Sequence, residues 1–200
     1  ALDAQWANLR PFTMTSPDQF LPASPPSPVT TDSISGDIYA SDLERTRALG
    51  AAVGSARTAE QTLIARFWAD GVGTYTPAGH WNTIATDAST TENLSLSATA
   101  KVLLQLNLAE ADAGIAAWNT KFTYDVWRPD TAIEIINNDP NWQPLLFTPP
   151  FAEYVSGHST FSGAAATILT AAFGDTYGFS TAGTGNASAT TRTFTNFEAA

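Results

Sequence analysis

Residues 101–129 read KVLLQLNLAEADAGIAAWNTKFTYDVWRP. Val102, Leu103, Leu106 and Ala109, then Ala113, Ala116 and Ala117, recur at spacings of three and four, the period of a helix that buries one side. The pattern predicts a helix over about 94–127, kinked at Gly114. Within it Lys121 and Arg128 stand seven residues apart. Seven steps of about 100° return to within about 20° of the start, so both cations are expected on one helix face. The chain has only one other lysine, Lys101, so a lysine here needs a reason.

Some thirty residues on comes Tyr154-Val155-Ser156-Gly157-His158-Ser159-Thr160. Ser156 offers a hydroxyl, Gly157 an unhindered backbone N–H, and His158 an imidazole that gives or takes a proton near neutral pH. The helix expected over 159–173 adds a favourable dipole. With the point charge of Lys121 and the planar fork of Arg128, these groups can surround a small tetrahedral oxyanion. Each has a plainer reading. A Lys and an Arg at this spacing commonly line a solvated helix face, and Asp125 offers Lys121 an ordinary i,i+4 partner. Ser-Gly-His serves equally as a turn and helix cap, His80 reads as structural, and the tryptophans read as core.

Other segments fill in an all-α chain. Residues 11–36, rich in Pro, Ser and Thr, read as part of an extended arm (1–36) ahead of a single helical domain (37–200). Ser41-Asp42-Leu43-Glu44 resembles an N-cap with acids in the first turn, opening a helix to about Leu49. Thr58 to Trp68 predicts another, with Leu63, Ile64, Phe67 and Trp68 inward. Gly71, Gly73, Pro77 and Gly79 read as a loop, followed by a short helix over Asn82–Thr86. A further helix starts at about Thr131. Gly163-Ala164-Ala165-Ala166 predicts close packing against a neighbour, and 174–189 reads as loop.

Nineteen acids against nine bases give a net charge of −10. Such a surface repels nucleic acid and anionic lipid, so any anion held must be small and gripped at short range. No apolar run reaches the length of a membrane span. The absence of cysteine excludes disulfides and thiolate metal sites. Scarce lysine with abundant Ala, Thr, Ser and Asn suits an exported bacterial protein, secreted or periplasmic.

Lys121-x6-Arg128-Pro129 followed by Ser156-Gly157-His158 resembles the first two signature motifs of the vanadium-dependent haloperoxidase and type 2 phosphatidic acid phosphatase superfamily. The wider text is similar to its bacterial haloperoxidase-like branch, from about residue 37 onward. It comprises Trp127-Arg128-Pro129-x-Thr131-Ala132-Ile133 and Thr148-Pro149-Pro150-Phe151 through Ser162. Val155 stands where the family commonly has proline. The resemblance implies a helical bundle in which Lys121, Arg128, Ser156 and Gly157 bind vanadate (or phosphate) and His158 is the catalytic acid–base group. It implies hydrogen peroxide, halide and an organic acceptor as substrates, with halide oxidised to a hypohalous acid equivalent. Phosphatase relatives hydrolyse phosphoric esters in the same pocket, and an inactive oxyanion-binding homologue is a third reading.

The resemblance also makes Asp70, in Trp68-Ala69-Asp70-Gly71, a supporting acid behind the site. Trp118 and Phe151 fall where chloroperoxidase-type members place aromatics. The family's third motif, with an arginine and the histidine that links to vanadium, has no counterpart: no histidine follows His158. Arg192, in Thr191-Arg192-Thr193, lacks the context. Thr195-Asn196-Phe197-Glu198 reads as a capping box opening a helix, which places that motif beyond Ala200. The 200-residue piece alone is then expected to be inactive and to need its own C-terminal segment as a partner. Halide preference and oligomeric state, a homo-oligomer included, are left open.

Overall fold

Among the described residues six α-helices carry the fold: α1 (Ile38–Gly50), α2 (Ala59–Phe67), α3 (Thr76–Thr91), α4 (Leu96–Tyr124), α5 (Pro129–Ile136) and α6 (Gly157–Phe173). They come from a computed structural model that describes residues 3–25, 38–187 and 190–200. The long α4 is the spine, with α3 and α6 packed against it and against each other. Their seam is Trp81, Ile84, Ala85 and Ala88 of α3, Val102 and Leu106 of α4, and Ala165, Ala166 and Leu169 of α6. Leu106 and Leu169 are fully buried, each contributing roughly 2–3 kcal/mol by leaving water. A smaller cluster joins Leu43 of α1 to Ala132 and Ile133 of α5.

The fold is helical as the periodicity implies, with local differences that have physical causes. Ser41 lies inside α1, which the structure describes from Ile38. Thr58 does cap α2, its hydroxyl accepting from the Gln61 N–H in a capping box. Phe67 is fully buried, yet Leu63 and Ile64 are 46% and 40% exposed, because a nine-residue helix at the periphery presents a single inward position. The expected short helix at 82–86 is the middle of a 16-residue one. Pro77 falls in its first turn, where a missing N–H costs nothing. Gly79 sits there because a Cβ would come within 2.9 Å of the Tyr75 Cβ.

α4 runs unbroken through Gly114. That glycine lets Phe161 of α6 approach, at 3.1 Å from where a Cβ would stand, rather than bending the helix. In α6 the close packing falls on Ala165 and Ala166, while Gly163 faces open space. Within the segment expected as loop, β1 (Phe179–Ala182) forms and pairs antiparallel with β2 (Thr191–Phe194), Phe179 opposite Phe194. Phe179 and Tyr177 stack on Phe197, so a four-residue strand without an alternating signature is fixed by aromatic packing. At the end, Asn196 rather than Thr195 caps a 3-10 turn over Phe197–Ala199.

The N-terminal segment is pinned to α4 by one carboxylate. Asp112 accepts from the N–H groups of Phe12, Thr13 and Met14 and from the Thr13 hydroxyl. Four donors hold its carboxyl below the ordinary range although burial pushes it up. Residues 26–36 of the expected arm lie outside the described residues. Two residues earlier on α4, Glu110 is also buried, and among the described residues only Asn82 donates to it, at 3.3 Å. Burial raises its pKa to about 8.

A carboxyl whose folded pKa lies above its unfolded value stabilises the fold while protonated. That contribution is complete below the ordinary glutamate value of 4.5 and is lost as pH rises through about 8. Melting temperature is therefore expected to fall from about pH 5 to about pH 8 in the native protein and to fall less in Glu110→Gln. Parallel melting curves for the two would show that Glu110 does not titrate in this window.

Candidate active site

Helix α4 ends four residues after Lys121, where Asp125 takes a left-handed conformation (φ 46°) and returns its N–H to the Lys121 carbonyl. Arg128 is therefore not on the lysine's helix. It stands at the N-cap of α5, across an extended turn, so seven-residue spacing is not what relates the two cations. They meet on a different element: the Phe151 ring lies 5.1 Å from the Lys121 ammonium and 5.7 Å from the Arg128 guanidinium. Trp118 packs on Phe151 at 5.2 Å and lies under the same ammonium at 5.8 Å.

Lys121 is 1% exposed. Its ammonium donates to the carbonyls of Ala152 (2.9 Å), Glu153 (2.9 Å) and Val155 (2.5 Å). Burying an ion costs several kcal/mol. Three charge-assisted bonds at about 1.5–3 kcal/mol each are of the same size, so the ammonium stays where it is. Burial lowers its pKa to about 8; the Glu153 charge opposes the fall and the Arg128 charge adds to it. Asp125 takes no part in holding it.

Arg128 differs. Among the described residues its guanidinium makes no aligned hydrogen bond, and its Nε is buried without a partner. Its charge is met by the Glu153 carboxylate, 3.0 Å from Nη1. Glu153 is the residue that sequence reasoning passes over. The available signal is an acid three residues before Ser156, between two cation-bearing motifs.

The Ser156-Gly157-His158 corner opens α6. Ser156 is the N-cap, its Oγ accepting from the Ser159 N–H at 3.2 Å, which leaves its own hydrogen free to donate. Gly157 is the first helical residue, so its N–H has no partner within the helix. A Cβ there would rest on the Trp118 ring at 3.4 Å. That is tolerable packing, but it would fill the notch between ring and amide. The Trp118 Nε1, buried nearby, is also unpartnered.

His158 reaches toward the loop after α2. Its Nε2 lies 3.1 Å from the Ala69 carbonyl. A carbonyl only accepts, so Nε2 carries a proton and Nδ1 is the nitrogen left for proton transfer. The ring borders a cavity of about 220 Å³ lined also by Asp70, Trp68, Trp81 and Ser162. Asp70 is 5% exposed, and its carboxylate takes the His80 Nδ1 at 3.0 Å and the Thr184 hydroxyl. Burial pushes its carboxyl up; hydrogen bonds from His80 and Thr184 and the charges of His80 and His158 outweigh this and hold it below its usual value. His80 is itself buried and reaches Thr181 of β1 through Nε2, a structural role. Arg192 does not approach Asp70; it pairs with Glu60 at 2.7 Å.

The groups gathered around Trp118 and Phe151 are donors: an ammonium, an unfilled guanidinium fork, a hydroxyl, a helix-end amide and an indole N–H. Such a set fits an oxyanion. Among the described residues no group of three or more His, Asp or Glu side chains is arranged to hold a metal cation. No helix among them is long and apolar enough to cross a membrane.

Replacing Lys121 by methionine leaves three buried carbonyls without their donor and is expected to cost about 3 kcal/mol or more. Urea denaturation measures it. A cost below about 1 kcal/mol would mean that the ammonium does not brace this loop.

In sequence and fold the chain is similar to known proteins. The model of the VCPO second helical-bundle domain matches residues 101–200. A vanadium chloroperoxidase from Curvularia inaequalis is 34% identical over 79 residues, covering 32% of this chain and 13% of that protein. The crystal structure of a bacterial vanadium-dependent iodoperoxidase matches with a TM-score of 0.83 and 31% identity, over 99% of this chain and 48% of that one. The chain thus spans about half the length of the iodoperoxidase and far less of the chloroperoxidase.

Proposed function

The chain belongs to the vanadium haloperoxidase superfamily, and from that premise we propose that the corner between α4 and α6 binds vanadate and oxidises halide with hydrogen peroxide. One observation carries the reading. In a chain of net charge −10, two cations are gathered on one aromatic pair, with guanidinium and indole N–H groups left unpartnered. Burying donors without acceptors costs about 1–3 kcal/mol each, which an oxyanion guest would recover.

Arg128 would hold two oxygens of the guest through its fork. The Ser156 hydroxyl and the Gly157 N–H would take others, with the α6 dipole behind them. Lys121 acts by charge across a short, dry distance while its N–H groups keep the 152–155 loop in shape. Vanadate, when bound, supplies a Lewis-acidic centre that activates peroxide toward halide. His158, anchored through Nε2, presents Nδ1 to take or return the proton that peroxide binding and product release require. Trp118 and Phe151 exclude water from the floor and lower the dielectric around the charges. Asp70 lies beneath His158 and lends negative charge to that end of the cavity. The histidine that links to vanadium in the family has no counterpart among these 200 residues.

The test uses the full-length protein with vanadate, peroxide and each halide in turn, and reads halogenation of a phenolic dye. Vanadate-dependent halogenation is expected. Vanadate-inhibited hydrolysis of p-nitrophenyl phosphate without halogenation would make the site a phosphatase instead. His158→Ala is expected to cut turnover by about 10²-fold or more while changing vanadate affinity only a few-fold. Equal losses in both would make the imidazole a ligand rather than a proton carrier.

A further inference from the structure

Glu153 engages both cations of the site at once, and it does so by two different means. Its backbone carbonyl receives the Lys121 ammonium at 2.9 Å, and its backbone N–H is fixed on the Val126 carbonyl at 3.0 Å. Its side-chain carboxylate stands 3.0 Å from the Arg128 Nη1 and its charge is felt by Lys121. The backbone anchors fix where the side chain starts, and the ion pair with Arg128 is where its carboxylate ends. Two positive charges and one negative leave the pocket with a single net positive charge.

The Glu153–Arg128 pair is a poor stabilising device. The carboxylate side chain is 41% exposed and the arginine 25%, and pairs this exposed typically contribute about 0–1 kcal/mol. Nor is it an aligned hydrogen bond, since the facing Oε2 satisfies no donor. What the carboxylate does is repel an anion on the same guanidinium. Two unit charges about 6 Å apart at a partly exposed site, with an effective dielectric of 20 to 40, interact by an amount equivalent to roughly a tenfold change in affinity or more. That penalty doubles when the guest carries two charges.

We propose that Glu153 is a specificity-determining residue that sets the charge state of the bound oxyanion, favouring a monoanion over a dianion. This rests on the oxyanion reading of the site given above. Vanadic acid holds its second proton to higher pH than phosphoric acid does, so at neutral pH vanadate is the more singly charged of the two. A carboxylate at this position therefore biases the pocket toward vanadate and against phosphate and sulfate, without touching the guest.

The experiment is calorimetric titration of the full-length protein, free of vanadate, with sulfate (a fixed dianion) and with phosphate at about pH 5 and about pH 8, on either side of its second ionisation. Glu153→Gln keeps the side chain's size and both backbone anchors and removes the charge. It is expected to tighten sulfate and the phosphate dianion about a hundredfold, and the phosphate monoanion only about tenfold. Glu153→Ala, which also removes any new amide contact to Arg128, is expected to move in the same direction. Equal gains for monoanion and dianion would overturn the proposal, as would unchanged binding that still requires Arg128. Weaker binding in both variants would overturn it too, making Glu153 an orienting group. If neither the native protein nor either variant binds any tetrahedral oxyanion, the reading of the site itself fails, and this proposal with it.

Discussion

One buried ammonium fixes the geometry on which everything else depends. Lys121 closes the last turns of α4 onto three carbonyls of the segment that leads into α6. A loop of this kind would otherwise carry unsatisfied C=O groups into a dry interior, an expensive arrangement for backbone. The lysine answers that cost and, by the same contacts, sets the distance between the end of one helix and the start of the other. Ser156, Gly157 and Phe151 occupy their places because the carbonyls between them are held.

Charge is distributed in this protein by how many donors each buried carboxylate finds. Asp112 has four and stays ionised, tying the N-terminal segment to α4. Asp70 has a histidine and a threonine and also stays ionised, joining the loop after α2 to α3 and to the segment following β1. Glu110, with one distant amide, is driven toward the neutral form. Two of these acids stay ionised and the third is driven toward neutrality, and the difference lies in local hydrogen bonding rather than in net charge.

The site follows the same rule with the signs reversed. Lys121 has all the acceptors an ammonium can use and is a brace first, a charge second. Arg128 has a counter-charge but no aligned acceptor, so its fork is the more available of the two. The aromatic pair beneath them supplies a low-dielectric floor, where a guest's charge counts for more than it would in water. His158 belongs to the neighbouring cavity with Asp70 and Trp81. The proposed binding groups and the imidazole are therefore held by different partners at the first turn of α6.

Helical class, the extent of α4, the cap at Thr58 and the identity of the cation and Ser-Gly-His groups were legible in the chain, because periodicity, capping and side-chain chemistry are local properties. The reason for the cations' proximity was not. The helix-face argument fails at Asp125, whose left-handed turn ends α4, and Phe151, more than twenty residues downstream, is what unites Lys121 with Arg128. The strands at 179–182 and 191–194 were silent because stacking on Phe197 fixes them. The role of Glu153 was silent because an acid declares its partner only once the backbone has been folded around it. Sequence determined which chemical groups this protein carries to the proposed oxyanion site; tertiary packing alone decided which are engaged, which are left unfilled and which carboxylate stands among them, since those depend on distances between segments that no local pattern encodes.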